Sequence, residues 1–346
     1  MKSIKDNLKA KRTEINMAAM ELTKTRYFQP GQTLPLVIEP AIDGVNLQSW
    51  VADKKAYLHT ELGKHGAILF RNFNVNTPAK FEALAQTVSS DLFDEYGDLP
   101  REEPGAKVYG STPYPADKSI LYHNESSHMH RWPMKIWFYC VKPAEKGGAT
   151  PIVDCRKVYQ TLDKKLIARL TEKKLVYVRN FIDGLDVSWQ QFFMTSKKES
   201  VEAYCRQAGI AFEWKGENRL TTRQLCDAVV KHPYTGEMVF FNQVQLHHIS
   251  CLDPALRESM ESMFQSEDLP RNVYYGDNTP IEDSVIAEIS EVLEQCAVRF
   301  QWQTGDAIMV DNMMVAHSRD PFEGTRKLLV AMAEIMTQKE MQHQSA

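Results

Sequence analysis

Two short segments about 190 residues apart constrain the fold of this 346-residue chain more than any other feature. The first is Leu121-Tyr122-His123-Asn124-Glu125. In an extended chain, side chains at i and i+2 point to one face, so His123 and Glu125 present an imidazole and a carboxylate side by side. The second is the run 305–326, which reads as a buried strand, a turn at Asp311-Asn312, a short strand ending in His317, a loop closed by Gly324, and a further strand opened by Arg326. A His-x-Glu pair alone is a common chance pattern. With His317 as a third ligand, the set becomes two imidazoles and one carboxylate with open positions, the facial arrangement of non-heme Fe(II) sites. Structural zinc sites are closed four-ligand sets that usually use Cys, and no Cys neighbours either segment in sequence. If both segments bind one metal, the residues between them are an insertion in one fold, a point that length alone leaves open.

The rest of the chain has two textures. Short runs rich in β-branched and aromatic residues, bounded by Gly, Pro, Asn or Asp, predict strands at 67–70, 135–141, 175–178, 238–241, 307–310 and 328–332. Apolar residues at three- and four-residue spacing predict helices over 47–64, 78–92, 155–174, 196–208, 220–230, 253–266 and 281–295. Strands and helices do not alternate one for one, so a doubly wound sheet is disfavoured and a β-rich α+β core decorated by helices is expected. Residues 1–30, polar and lysine-rich up to the turn signal Gln29-Pro30-Gly31, read as an N-terminal arm, with residues 31–346 as one domain carrying a helical insertion over roughly 155–235.

Composition narrows the function. Lys+Arg number 41 against 45 Asp+Glu, a net charge of -4, which argues against coating nucleic acid or an anionic membrane. The six scattered cysteines form no CxxC pair and read as reduced thiols of a cytoplasmic protein. The basic N-terminus lacks the apolar stretch of a signal peptide. The longest apolar run, 136–141, is far too short to span a bilayer.

Arg326 offers a planar fork for a buried carboxylate, and Gly147-Gly148-Ala149-Thr150-Pro151 supplies a tight turn with a hydroxyl that can share it. Alone, such an Arg is more often a surface ion-pair partner and such a Thr a turn residue.

Together, His123-x-Glu125, Gly147-Gly148-Ala149-Thr150 and His317 followed nine residues later by Arg326 resemble the Fe(II)/2-oxoglutarate-dependent dioxygenases of the taurine dioxygenase superfamily. The strings Tyr114-Pro115-Ala116-Asp117, Trp132-Pro133-x-Lys135-Ile136-Trp137-Phe138, Tyr177-Val178-Arg179-Asn180, Leu269-Pro270-Arg271-Asn272 and Tyr274-Tyr275-Gly276-Asp277 are similar to its syringomycin-biosynthesis hydroxylases. The resemblance runs from about residue 30 to about 335. It implies a double-stranded β-helix (a jelly roll of cupin type) with a helical insert. It further implies Fe(II) on His123, Glu125 and His317, 2-oxoglutarate held by Arg326 and Thr150, and O2 as oxidant. The prototype has Asp where this chain has Glu125, and a second Arg where it has Val330, so taurine is not the expected substrate: a sulfonate buried without its cation is costly. In related halogenases the carboxylate ligand is missing, so Glu125 favours hydroxylation, with desaturation or cyclisation as alternatives. The expected substrate is an amino acid, free or tethered to a peptidyl carrier protein, and a homo-oligomer is expected from frequency alone.

Several residues keep two readings. His128, His130, His247 and His248 serve as packing or supporting groups, or as ligands in a different assignment. Arg179 and Asn180 meet a substrate carboxylate or carrier arm, or hold structure. His128 stands where relatives often carry an aromatic residue. In other function classes, a zinc hydrolase could use the same three ligands, and a binding module could keep the fold without activity.

Overall fold

The computed structural model describes residues 21–93, 107–110, 114–182, 184–216 and 218–344. Its organising strand is β6 (Arg131–Lys142), in which nine consecutive residues are buried. Such a run cannot lie on a half-solvated sheet, so both faces must be covered. The alternation of strand side chains divides it. Trp137 and Tyr139 join an outer cluster with Phe70, Phe81, Leu84 and Leu329. Ile136, Phe138 and Cys140 join an inner one with Ile152, Ile308, Val315 and Val330. Phe81 stacks on Tyr139 and Phe70 on Trp137, pinning the helix Pro78–Val88 to the outer face.

The larger sheet runs in the order β1 (Thr23–Arg26), β2 (Leu36–Pro40), β3 (Ala67–Phe70), β16 (Ala307–Asp311), β6, β19 (Lys327–Thr337) and β4 (Tyr109–Gly110). Facing it across the inner cluster is a four-stranded sheet, β15 (Ala297–Val298), β8 (Ile152–Asp154), β17 (Val315–Arg319) and β5 (Ile120–His123). The short pair β18 (Phe322–Glu323) and β7 (Lys146–Gly147) lies between the connections of β17 to β19 and of β6 to β8. Two facing sheets of largely antiparallel strands make the jelly roll, so the expected β-rich fold class holds. A buried bidentate pair, Arg71 to Asp306 at 2.6 and 3.0 Å, ties the end of β3 to the start of β16.

All six expected strands form, as do six of the seven helical stretches. The stretch 220–230 does not. It holds β11 (Arg219–Cys226) and β12 (Val229–Lys231), the latter paired with β13 (Met238–Phe240). Thr221 and Thr222 favour the pleated chain, and pairing on both edges, to β9 (Leu175–Phe181) and β10 (Ala211–Lys215), overrides a helical spacing that rested on few apolar residues. With β14 (Arg271–Tyr275) these strands form a four-stranded sheet, so the insertion expected to be helical over 155–235 is mixed α/β and its sheet draws on a strand beyond 235. Residues 1–20 of the expected arm lie outside the described residues. Thr23–Arg26 is not an arm: it pairs with Leu36–Pro40 as an edge strand, with Arg26 donating to both carboxylate oxygens of Glu39. All six cysteines are free. No helix among the described residues is long and apolar enough to cross a membrane.

Candidate metal centre

The pairing of β17 with β5 sets His317 directly opposite His123. Their rings lie 4.3 Å apart between centroids. Glu125, two residues on from His123, brings a carboxylate oxygen to 3.8 Å from His123 Nε2. One donor atom from each of His123, Glu125 and His317 lies within 4.8 Å of the other two, the spacing that ligands of one ion require. His123 and His317, 194 positions apart in sequence, thus meet because their strands are neighbours in one sheet.

The imidazoles are prepared for a cation. His123 Nδ1 donates to the Leu121 carbonyl at 2.8 Å, which leaves Nε2 as the ring nitrogen available for coordination. Burial and the neighbouring His123 hold the His317 pKa well below its ordinary value, so it is a neutral donor. His317 Nδ1 is buried and has no hydrogen-bond partner among the described residues. An edge-on contact with Phe138 at 5.0 Å fixes its ring. Two imidazole nitrogens, one carboxylate and a buried ring nitrogen without a partner among the described residues fit a divalent metal.

Asn124 and Asn312, which sequence reasoning passed over, hold this set in place. Asn312 is completely buried. Its Oδ1 accepts from the Glu125 backbone N–H at 2.7 Å, and its Nδ2 donates to the carbonyls of Glu125 and Pro133 at 2.9 and 2.8 Å. Asn124 Nδ2 donates to the Asn312 carbonyl at 2.7 Å, and Gln243 Nε2 to the Asn124 carbonyl at 2.9 Å. Glu125 is thereby clamped to the β16–β17 turn that leads to His317. The Asp311-Asn312 turn was legible, but its partners come from distant segments.

Arg326 and Thr150 meet beside the triad's strand. Arg326 Nε donates to the Gly148 carbonyl at 2.9 Å and Nη2 to Thr150 Oγ1 at 3.1 Å, while Trp302 Nε1 donates to the same hydroxyl at 3.0 Å. Burial first, then the charge of Arg319, lowers the Arg326 pKa to about 10. Among the described residues its hydrogen-bond partners are neutral, so a half-buried cation stands beside Thr150 without a carboxylate of its own.

The remaining candidates fall elsewhere. Asn180 is saturated by structure: Nδ2 donates to Glu267 and Leu269 carbonyls and Oδ1 accepts from Thr221. Arg179 pairs with Asp186 at 3.2 Å and lies over the rings of Phe181 and Phe192. His128 and His247 lie 4.8 Å apart between ring centroids, both kept neutral by burial, His247 with its pKa down to about 3. His130 packs edge-on to Tyr204, and His248 is bonded to Ser250 and the Ile281 carbonyl. A cavity of about 400 Å³ lies beside the loop after Glu125, lined among others by Ser126, His128, Arg131, Phe192 and Tyr204.

The family model for the taurine catabolism dioxygenase TauD, TfdA family matches residues 25–332. The chain belongs to the TauD/TfdA dioxygenase family. A relative within reach of sequence comparison, the dapdiamide synthesis protein DdaC of Enterobacter agglomerans, is 38% identical over 274 residues, covering 79% of this chain and 83% of DdaC. A clavaminate synthase-like protein of Arabidopsis thaliana is 28% identical over 316 residues, covering 88% and 92%. Among solved structures, PvcB of Pseudomonas aeruginosa superposes with a TM-score of 0.56 at 13% identity, over 90% of this chain and 91% of PvcB, and shares the fold. The reagents of this TauD/TfdA dioxygenase are accordingly Fe(II), 2-oxoglutarate and O2.

Gly148 tests the co-substrate side of the site. At φ +67° a Cβ there would lie 2.9 Å from Ala144 Cβ, 3.0 Å from Arg326 Cδ and 3.1 Å from Phe322 Cβ. Gly148→Ala therefore strains the backbone and displaces Arg326, at a cost of about 1–3 kcal/mol. Titration with 2-oxoglutarate should show its KM raised about tenfold for each 1.4 kcal/mol that falls on binding. An unchanged KM would contradict the placement.

Proposed function

We propose that this dioxygenase hydroxylates an unactivated C–H bond of an amino acid, either free or tethered to a peptidyl carrier protein, in a cytoplasmic pathway of specialised metabolism. The observation that carries the chemistry is the convergence of His123, Glu125 and His317, together with an Arg326 whose hydrogen-bond partners among the described residues are neutral. The pathway is supported by the names of relatives: DdaC is a dapdiamide synthesis protein, and PvcB is described as an oxygenase from an isonitrile synthetic pathway. His123 Nε2, a Glu125 carboxylate oxygen and one nitrogen of His317 would hold the metal, and Arg326 with Thr150 the distal carboxylate of 2-oxoglutarate. Fe(II) with 2-oxoglutarate and O2 supplies the oxidising power for C–H cleavage, with succinate and CO2 as co-products.

The chain's own residues supply position and exclusion of water. The Leu121 carbonyl keeps the His123 proton on Nδ1. Phe138 and Val330 belong to one buried apolar cluster, and Phe138 walls one side of His317. Val330 offers no cation at the position where a sulfonate would need one, which favours an amino acid over taurine.

Purified protein supplied with Fe(II), 2-oxoglutarate, O2 and a panel of free and carrier-bound amino acids should form succinate together with a product heavier by one oxygen atom. A product lighter by two hydrogens would move the reading to desaturation or cyclisation. Succinate formation stimulated by none of the panel would reject the substrate class.

A further inference from the structure

We propose that Arg319 is a positioning residue of the co-substrate pocket, clamping the segment 114–118 onto the turn that carries Phe322 and Arg326. The inference rests on the reading of Arg326 as the holder of the 2-oxoglutarate carboxylate. Arg319 ends β17, two residues beyond His317. The pairing with β5 slips between them: His317 opposes His123, but Arg319 opposes Ile120. Such a bulge re-aims a side chain, and here it sends the guanidinium to the backbone that leads into β5. Nη1 donates to the Tyr114 carbonyl at 3.0 Å, and Nη2 to those of Pro115 and Lys118 at 2.5 and 2.6 Å.

The clamp is continuous with the 2-oxoglutarate side of the site. The Arg319 guanidinium lies 5.6 Å from the centroid of Tyr114 and 5.3 Å from that of Phe322. Phe322 carries Arg326 at 5.7 Å on its ring and donates its backbone N–H to the Ala116 carbonyl at 2.9 Å. A Cβ at Gly148 would meet both Phe322 and Arg326, and Arg326 holds the Gly148 carbonyl. One path of contacts therefore runs from 114–118 through Arg319 and Phe322 to Arg326 and Thr150.

A purely structural tie would not need a charge. Three carbonyls can be held by neutral donors, whereas a buried guanidinium without a carboxylate is costly. Arg319 is buried, and its partners among the described residues are carbonyls and rings. Its charge adds to that of Arg326 where a dianion binds. Cation, fork and ring contacts together give it a job that neither Lys nor an apolar residue performs.

The test compares Arg319→Lys, Arg319→Met and, at an exposed position, Tyr114→Leu. Mn(II) is titrated into each protein, then N-oxalylglycine into the Mn(II)-loaded protein, and amide exchange is followed over 114–118 without ligand. Both Arg319 variants should bind N-oxalylglycine about tenfold more weakly or worse, as expected for a lost charge-assisted contact, with Mn(II) affinity within about twofold of wild type. Exchange over 114–118 should accelerate in both, and Tyr114→Leu should show smaller changes of the same sign. Full retention of N-oxalylglycine affinity in Arg319→Lys would overturn the clamp in favour of charge alone. Equal losses for Mn(II) and N-oxalylglycine would overturn it in favour of a general structural role. Wild-type protein that binds no N-oxalylglycine would instead reject the functional reading on which the clamp rests.

Discussion

Replacing His317 with Ala should abolish Fe(II)-dependent consumption of 2-oxoglutarate and weaken metal binding by more than two orders of magnitude. Removing an outer partner of a metal ligand already costs about 10- to 100-fold in affinity, and here the ligand itself is lost from a three-residue set. The position cannot be replaced by a neighbour. His123 and Glu125 sit on one strand and its extension, and the third donor must cross from β17, where the flanking Ala316 and Ser318 offer no comparable ligand. His128 and His247 are neutral imidazoles, but they face each other and Tyr177. Mn(II) or Fe(II) titration and succinate formation measure the two effects, with His59→Ala, an exposed imidazole far along the chain, as the control. Wild-type metal affinity in the His317 variant would remove it from the centre.

How much of this centre the sequence discloses depends on how local each signal is. His123 and Glu125 share a face by the two-residue period of a strand, and that period can be read from five residues. The hydrophobic runs at 67–70 and 307–310 are likewise local, and they form β3 and β16. His317, Arg326 and Thr150 stand out as candidates in their own segments but with rival readings there, and the resemblance assigns their roles, because fixed spacing to a motif survives in sequence where contacts do not. The 220–230 stretch shows the opposite case. Its Thr221 and Thr222 are weak strand signals, and the partners that settle the matter, Asn180 and Arg179 on one side and Glu213 and Phe212 on the other, are brought in from elsewhere. Asn124 and Asn312 belong to the same class. An Asn in a turn needs no explanation by itself, and only the folded chain shows that these two share a hydrogen-bond network. Arg179 and Asn180 were visible as polar residues after an apolar strand, yet only the contacts show that Asn180 is spent on the insertion sheet and Arg179 on Asp186.

Asn312 should therefore be the most consequential residue that does not touch the metal. Asn312→Ala removes three side-chain hydrogen bonds and leaves the Glu125 N–H and the Pro133 carbonyl without them in the interior. Each lost bond contributes about 1 kcal/mol net and each orphaned buried group costs about 1–3 kcal/mol, so a loss of about 4 kcal/mol is expected, read from the denaturation midpoint. Stability alone would not distinguish a clamp on Glu125 from ordinary packing. Leu84→Ala, at a fully buried position on the outer face, should lose about 2–5 kcal/mol through its cavity and serves as the matched comparison. Glu125 is positioned through its own backbone, so Asn312→Ala should also weaken Mn(II) binding by about 10- to 100-fold, whereas Leu84→Ala should leave the affinity of the folded fraction unchanged. If the two variants are equally destabilised and bind Mn(II) equally well, Asn312 serves the fold alone, and the carboxylate must be held by its own side-chain contacts.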